Sequence, residues 1–234
     1  MTPILLIAAN FVRENRWPLI TLLAYVGVFG GAMSLVADAS ADDTQFFLRS
    51  VGVYGLAFTG LMAASGINNE RRTRRMLAVL SKAIQRRQYL TALLLGVMCN
   101  AAIYCAAVGA IGMLALARHA QPAVKVWDLV ALLMASFLLA ASAALFFSTF
   151  LHPLMAAAAA AITLATLGAV GRVLGAPWNQ VLPAYTLTDA MVNFSLLAWR
   201  VPWTAAAWAV IHSFVFWMLA TIVFSRRDIA VAIE

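Results

Sequence analysis

Charge is scarce in this sequence. Only 11% of its 234 residues are charged and 64% are hydrophobic, whereas a soluble globular domain carries roughly 25% charged residues. A soluble domain of this length could not withdraw so much apolar surface into one core. A soluble enzyme and a nucleic-acid-binding domain are thereby excluded. The chain reads as an all-α polytopic membrane protein, one transmembrane domain over 1–234. Cysteine is almost missing too. Cys99 and Cys105 share one apolar stretch, and a spacing of six puts them on different helical faces, too far apart to bridge. There is no Cys-x-x-Cys pair, and His119, His152 and His212 are scattered, so a metal site has no support. No Gly-x-x-x-x-Gly-Lys-Ser/Thr loop is present, so this chain does not bind ATP in that manner. No Asp, Glu or Lys lies deep in an apolar stretch. That argues against a proton relay, a carboxylate-based secondary transporter and a charge-lined channel.

What is present is a series of uncharged intervals. They run from Trp17 to Ala37, Ser50 to Asn69, Gln88 to Ala117, Leu129 to Gly171 and Val201 to Ser225. A helix needs about 20 apolar residues to cross the hydrocarbon core. The fourth interval is long enough for two crossings, with His152-Pro153 as the break and a tight hairpin expected there. Six spans follow, at about 17–37, 46–66, 89–116, 127–150, 154–175 and 203–224.

The basic residues orient the spans. Arg13, Arg16, Arg71, Arg72, Arg74, Arg75, Lys82, Arg86, Arg87, Arg226 and Arg227 fall on one side of a six-span bundle. Arg118, Lys125 and Arg200 fall on the other, with Asp38, Asp42 and Asp43. This bias predicts that both termini and segment 67–88 are cytoplasmic. The N-terminal stretch lacks the leading basic residues of a cleavable signal. Thr2-Pro3 reads as a helix start, and Ile4, Ile7, Ala8 and Phe11 then share a face. Residues 3–15 are expected to form an amphipathic helix on the cytoplasmic leaflet, or else an extension of the first span.

The segment between the second and third spans has helical periodicity as well as charge. Met76, Leu80, Ala83 and Ile84 share a face, while Arg75, Lys82 and Arg86 project elsewhere. Such a helix can rest on anionic lipid or present a knob to a soluble partner. Its sequence, with Glu70 opening a basic run and then Leu80-Ser81-Lys82-Ala83-Ile84-Gln85-Arg86-Arg87-Gln88-Tyr89-Leu90, resembles the cytoplasmic loop of permeases in the ABC type-2 transporter family. There an acidic residue opens a stretch ending in Leu-Ser-x-Pro-x-x-Arg-x-x-Tyr-Leu. This chain has Ala83 in place of the proline and Arg71-Arg72 in place of a Gly-Thr pair. Phe224-Ser225-Arg226-Arg227-Asp228-Ile229 is similar to the basic-Asp close of the last span in such permeases.

The resemblance implies an ABC exporter permease of a bacterial inner membrane, working as a homodimer or heterodimer. The chain would hold no cofactor, because ATP and Mg would sit on a separate ATPase subunit. Glu70, Arg71, Arg72, Arg74, Arg75, Leu77, Leu80, Ser81, Ile84, Arg86 and Arg87 would form the coupling helix that docks on it. A maturation or assembly factor on the same fold is the alternative function. An intramembrane hydrolase using Ser65 and His212 has only the weak signal of a Ser-Gly pair.

Residues 176–202 are apolar but interrupted by Pro177, Pro183 and Pro202. One or two short external helices are expected, one starting at Thr188-Asp189 with Met191, Phe194 and Ala198 on one face. The resemblance implies that they shape an outer exit; the alternative is interfacial anchors, with Trp178, Trp199 and Trp203 at the interface. Small residues at Gly27, Gly31, Ala158, Gly171 and Gly175 allow close helix contacts. These serve either packing within one subunit or, as the resemblance implies, a dimer axis along spans 1 and 5. Arg49 and Arg172, near outer span ends, either snorkel or grip an anionic substrate. With Arg49, the polar groups Tyr54, Thr59, Asn100 and Tyr104 are candidates for a pathway lining, or for ordinary interhelical hydrogen bonds.

Overall fold

A computed structural model describes residues 3–35, 41–72, 85–117, 124–193 and 201–226. The described residues are all helical apart from short turns, with no strand among them. The helices are α1 (Pro3–Glu14), α2 (Arg16–Leu35), α3 (Ala41–Arg72), α4 (Arg86–Ala117), α5 (Val124–Ser148), α6 (Pro153–Leu174), α7 (Trp178–Val181), α8 (Pro183–Val192) and α9 (Trp203–Arg226). Each interval expected to span is helical over most of its described residues. Five helices (α3, α4, α5, α6 and α9) are long and apolar enough to cross a membrane. The described apolar stretch of α2, Arg16–Ala32, is shorter.

Helix boundaries depart from the uncharged intervals because charge and backbone hydrogen bonding report different things. Span 2 is expected over 46–66, yet α3 runs through Asp42-Asp43 at one end and Glu70-Arg71-Arg72 at the other. Charged residues leave the bilayer without ending a helix, so α3 reaches 32 residues, roughly 48 Å at the helical rise. The break at His152-Pro153 is present. Pro153 opens α6 at a position where its missing N–H costs nothing, and Leu151 N–H donates to Phe147 O across the turn.

At the centre lies α5, packed against α3, α4, α6 and α9. Its small residues help explain this position. Ala140, Ala141, Ala143 and Ala144 are buried and let neighbouring helices come close. Its buried hydroxyls bond back to their own helix: Ser136 to Leu132 O (2.9 Å), Ser142 to Leu139 O (3.0 Å) and Ser148 to Leu145 O (2.8 Å). These three hydroxyls thus enter the interior already satisfied.

Helix alternation divides the bundle into two ends. One end holds Arg72, Arg86 and Arg226; the other holds Ala41, Ala117, Val124 and Trp203. At the Arg86 end, α1 lies against α4. Phe11, 3% exposed, fills a notch where a Cβ on Gly66 or Gly96 would approach its ring to 3.2 or 2.9 Å. Of the expected apolar face of α1, Ala8 and Phe11 are buried, Ile4 and Ile7 partly so. The outer faces of α6 and α9 expose Leu154, Met155, Ile162, Val173, Phe214 and Met218, a surface that a soluble monomer does not carry. All this describes an integral membrane protein.

Candidate functional site

One long groove of about 1110 Å³ opens between α3, α5, α6 and α8. Its floor follows from composition. The run Ala156 to Ala161, then Ala165, Gly168 and Ala169, gives α6 too little side-chain volume to fill the space against Leu56, Gly60 and Leu139. The groove extends along α6 from Leu154 to Val173. Leu154 and Arg172 are 18 residues apart, roughly 27 Å along the helix, close to the ~30 Å hydrocarbon thickness.

The two ends of the groove differ. Near the Arg86 end its walls are Leu61, Leu154, Ala157 and Ala158. At the other end stand Arg172, Tyr185 and Thr188, and Arg172 is the single charged side chain among the lining residues described. Its guanidinium carbon lies 5.4 Å from the centre of the Tyr185 ring, within range for a cation–π contact. Two glycines make this pairing possible. A Cβ on Gly168 would stand 3.0 Å from the backbone nitrogen of Tyr185, and one on Gly171 would stand 3.1 Å from the Cβ of Leu182. Only glycine lets α7 and α8 lie so close on α6. Gly175, at φ 70°, ends α6 with its N–H on Arg172 O, and the Thr186 hydroxyl ties α8 back to Asn179 O.

The expected start of the external helix at Thr188 needs correction. The helix begins at Pro183, whose fixed φ suits a first turn. Thr188 sits inside it and donates to Ala184 O (2.8 Å). Buried Leu187 and Met191 form the inner face, while Phe194 and Ala198 lie outside the described residues. The expected close-contact glycines also separate. Gly171 is covered by Leu182 within the chain, Gly175 closes a helix, and Ala158 lines the groove. At Gly27 and Gly31 a Cβ would meet nothing within 4 Å.

The expected pathway residues are not brought together. Thr59 is buried and donates to Gly55 O (2.8 Å). Tyr104 is buried and donates to Val51 O (2.6 Å), its ring beside Phe137 and over Gly55. Asn100 is buried and donates to Met62 Sδ (3.5 Å). All three bind α3 to itself or to α4. Tyr54 faces outward, edge-on to Tyr25, and Arg49 is half-buried one turn before Val53. Of the two weak hydrolase candidates, the Ser65 hydroxyl donates to Met62 O and His212 lies edge-on to Trp208.

A second constellation sits at the Arg86 end. Arg86 Nη1 donates to Phe224 O (3.1 Å) and Ser225 O (2.8 Å). These are among the carbonyls a helix C-terminus leaves without intrahelical partners, and the cation also suits the negative end of the dipole. Tyr89, fully buried, stacks on Phe224 at 6.0 Å, and Leu90 is buried beside it. Arg87 is exposed, with its Nε on Gln85 Oε1 (2.6 Å). Glu70, Arg71 and Arg72 continue the backbone of α3. Arg74, Arg75, Leu77, Leu80, Ser81 and Ile84 lie outside the described residues.

No family model matches the chain, and no significant relative was found among curated proteins. The Arg172–Tyr185 pairing and the role of Gly168 escaped sequence reasoning. The visible signal was an alanine-rich stretch whose only charge comes at its end.

Proposed function

We propose that the chain is the membrane-spanning permease subunit of an ATP-driven exporter of the ABC type, energised by a separate ATPase subunit that carries ATP and Mg. In this reading α2 is the first of six spans and α1 rests on the cytoplasmic face. The basic excess supports a cytoplasmic position for both termini and residues 67–88, and the resemblance suggests a bacterial inner membrane. Residues 70–88 are the coupling segment.

The observation that carries the reading is the joint made by Arg86, Tyr89 and Leu90. These are the described residues of the Arg-x-x-Tyr-Leu pattern, and they fasten the start of α4 to the end of α9. A load applied to the segment before Arg86 is therefore delivered to two long helices at once. One of them, α9, packs on central α5. That is the connection a permease needs if its partner hydrolyses ATP outside the membrane.

The test is co-purification and substrate-dependent ATP turnover with an ATPase encoded beside this chain. Leu80→Asp and Ile84→Asp place a charge where an apolar contact is expected, and an unpaired buried charge is strongly unfavourable. Both variants should insert and fold normally but no longer retain or stimulate the ATPase. Full turnover in both would reduce the segment to a topological anchor.

A further inference from the structure

We propose that the groove along α6 holds an anionic phospholipid taken from the surrounding bilayer, with its phosphate at Arg172 and its acyl chains over the alanine floor. The inference stands on the groove alone and is independent of any ATPase partner.

Three observations point to this occupant. The groove is long: its walls follow α6 from Leu154 to Val173, whereas a compact small molecule would use a rounded pocket. It is apolar, since the Ser136 and Thr188 hydroxyls on its wall already donate to carbonyls of their own helices. Its walls therefore offer hydrocarbon contact with no polar demand along most of the length, as an acyl chain requires. Finally, its polarity is one-sided. Among the described lining residues a single guanidinium stands at one end, steadied on the Tyr185 ring. An arginine fork matches phosphate oxygens with two parallel N–H donors, and the ring beneath it limits the orientations to be lost on binding. Among the described lining residues the opposite end has no charge to receive a second headgroup. A transmembrane helix from another copy would fill the groove with apolar side chains along its whole length and would have no use for this cation.

Simple snorkelling of Arg172 into the headgroup layer makes a different prediction. It gives a general attraction for anionic headgroups but no fixed position for the chains, so tail labelling would spread over the lipid-facing helices rather than concentrate on 157–169. The experiment uses the full chain in nanodiscs with tail-photoreactive phosphatidylglycerol or phosphatidylcholine, and crosslinked peptides are mapped by mass spectrometry. Phosphatidylglycerol should label 157–169 about fivefold more than phosphatidylcholine, the effect expected of one arginine at a membrane surface. Arg172→Gln should bring the two lipids to equality while tail labelling of α6 persists, and Arg172→Lys should restore part of the preference. Ala161→Trp, at an exposed position on the groove wall, should suppress labelling by both lipids. Equal labelling by the two lipids in the unmodified chain overturns the proposal. So does labelling confined to other helices, or a groove that a second copy occupies, seen as efficient disulfide formation between Ala158→Cys chains with labelling of α6 absent.

Discussion

Arg86 shows how much a single residue's meaning depends on its partner. By sequence it belongs to a basic run, and the resemblance implies a separate ATPase subunit as its partner. In the fold its guanidinium reaches two carbonyls at the end of α9. Hydrogen bonds with one charged partner contribute roughly 1.5–3 kcal/mol when well buried, and partial exposure of this pair lowers that. Arg86→Gln should therefore destabilise the purified chain by about 1–2 kcal/mol, measured by thermal unfolding in detergent. Arg86→Lys should recover only part of it, since both bonds come from Nη1 and the shorter lysine must stretch its ammonium to the same place. If Arg86 served only an external partner, neither variant would change unfolding of the isolated chain. Thr59, Asn100 and Tyr104 teach the same lesson. Their polarity within apolar stretches was plain in the sequence. Whether they lined a path or tied helices depended on the register between α3 and α4, which spacing within one helix does not determine.

At the scale of elements, the helices were legible and their ends were not. Apolar length alone identifies α4, α5, α6 and α9, because a bilayer leaves a buried backbone few alternatives to the helix. The overrun of α3 beyond its apolar stretch is invisible to hydropathy. The external segment was legible as short helices between prolines, but its start was misplaced. Thr188-Asp189 has the chemistry of an N-cap, and Pro183 five residues earlier had already opened the helix. What seats that helix is Gly168, which no periodicity distinguishes from the other small residues of α6. Gly168→Val would drive a branched side chain into the backbone of Tyr185, and overpacking of this kind costs about 1–3 kcal/mol. The expected outcome is a lower unfolding temperature together with loss of the phosphatidylglycerol preference, because displacing α8 removes the ring under Arg172. An unchanged preference would mean that Tyr185 contributes nothing to how Arg172 is held.

For the whole molecule, the exterior of the described residues includes three regions with different demands. The belt on α6 and α9 is apolar and large, so it must meet lipid or protein. The groove has one cation at one end and takes an amphiphile. On the proposed function, a second copy would pack on the face of α2 bearing Gly27 and Gly31, where a Cβ meets no atom within 4 Å. Gly171, by contrast, is occupied by Leu182, Gly175 closes α6, and Ala158 belongs to the groove wall. This division gives the variants separate signatures. Replacing both Gly27 and Gly31 with Leu adds volume where a Cβ meets no atom within 4 Å, so the fold of one chain should be undisturbed. Close helix contacts across a dimer axis would lose their fit, and the dimer fraction in nanodiscs, counted by single-particle mass, should fall several-fold. Gly171→Leu should instead lower the unfolding temperature of the chain itself, because its side chain must displace Leu182. Ala158→Leu should reduce lipid labelling of the groove and leave the dimer fraction alone. A dimer fraction unchanged by the paired glycine variant, with Ala158→Leu the one that separates the copies, would move the subunit contact from α2 to α6 and give the groove to protein.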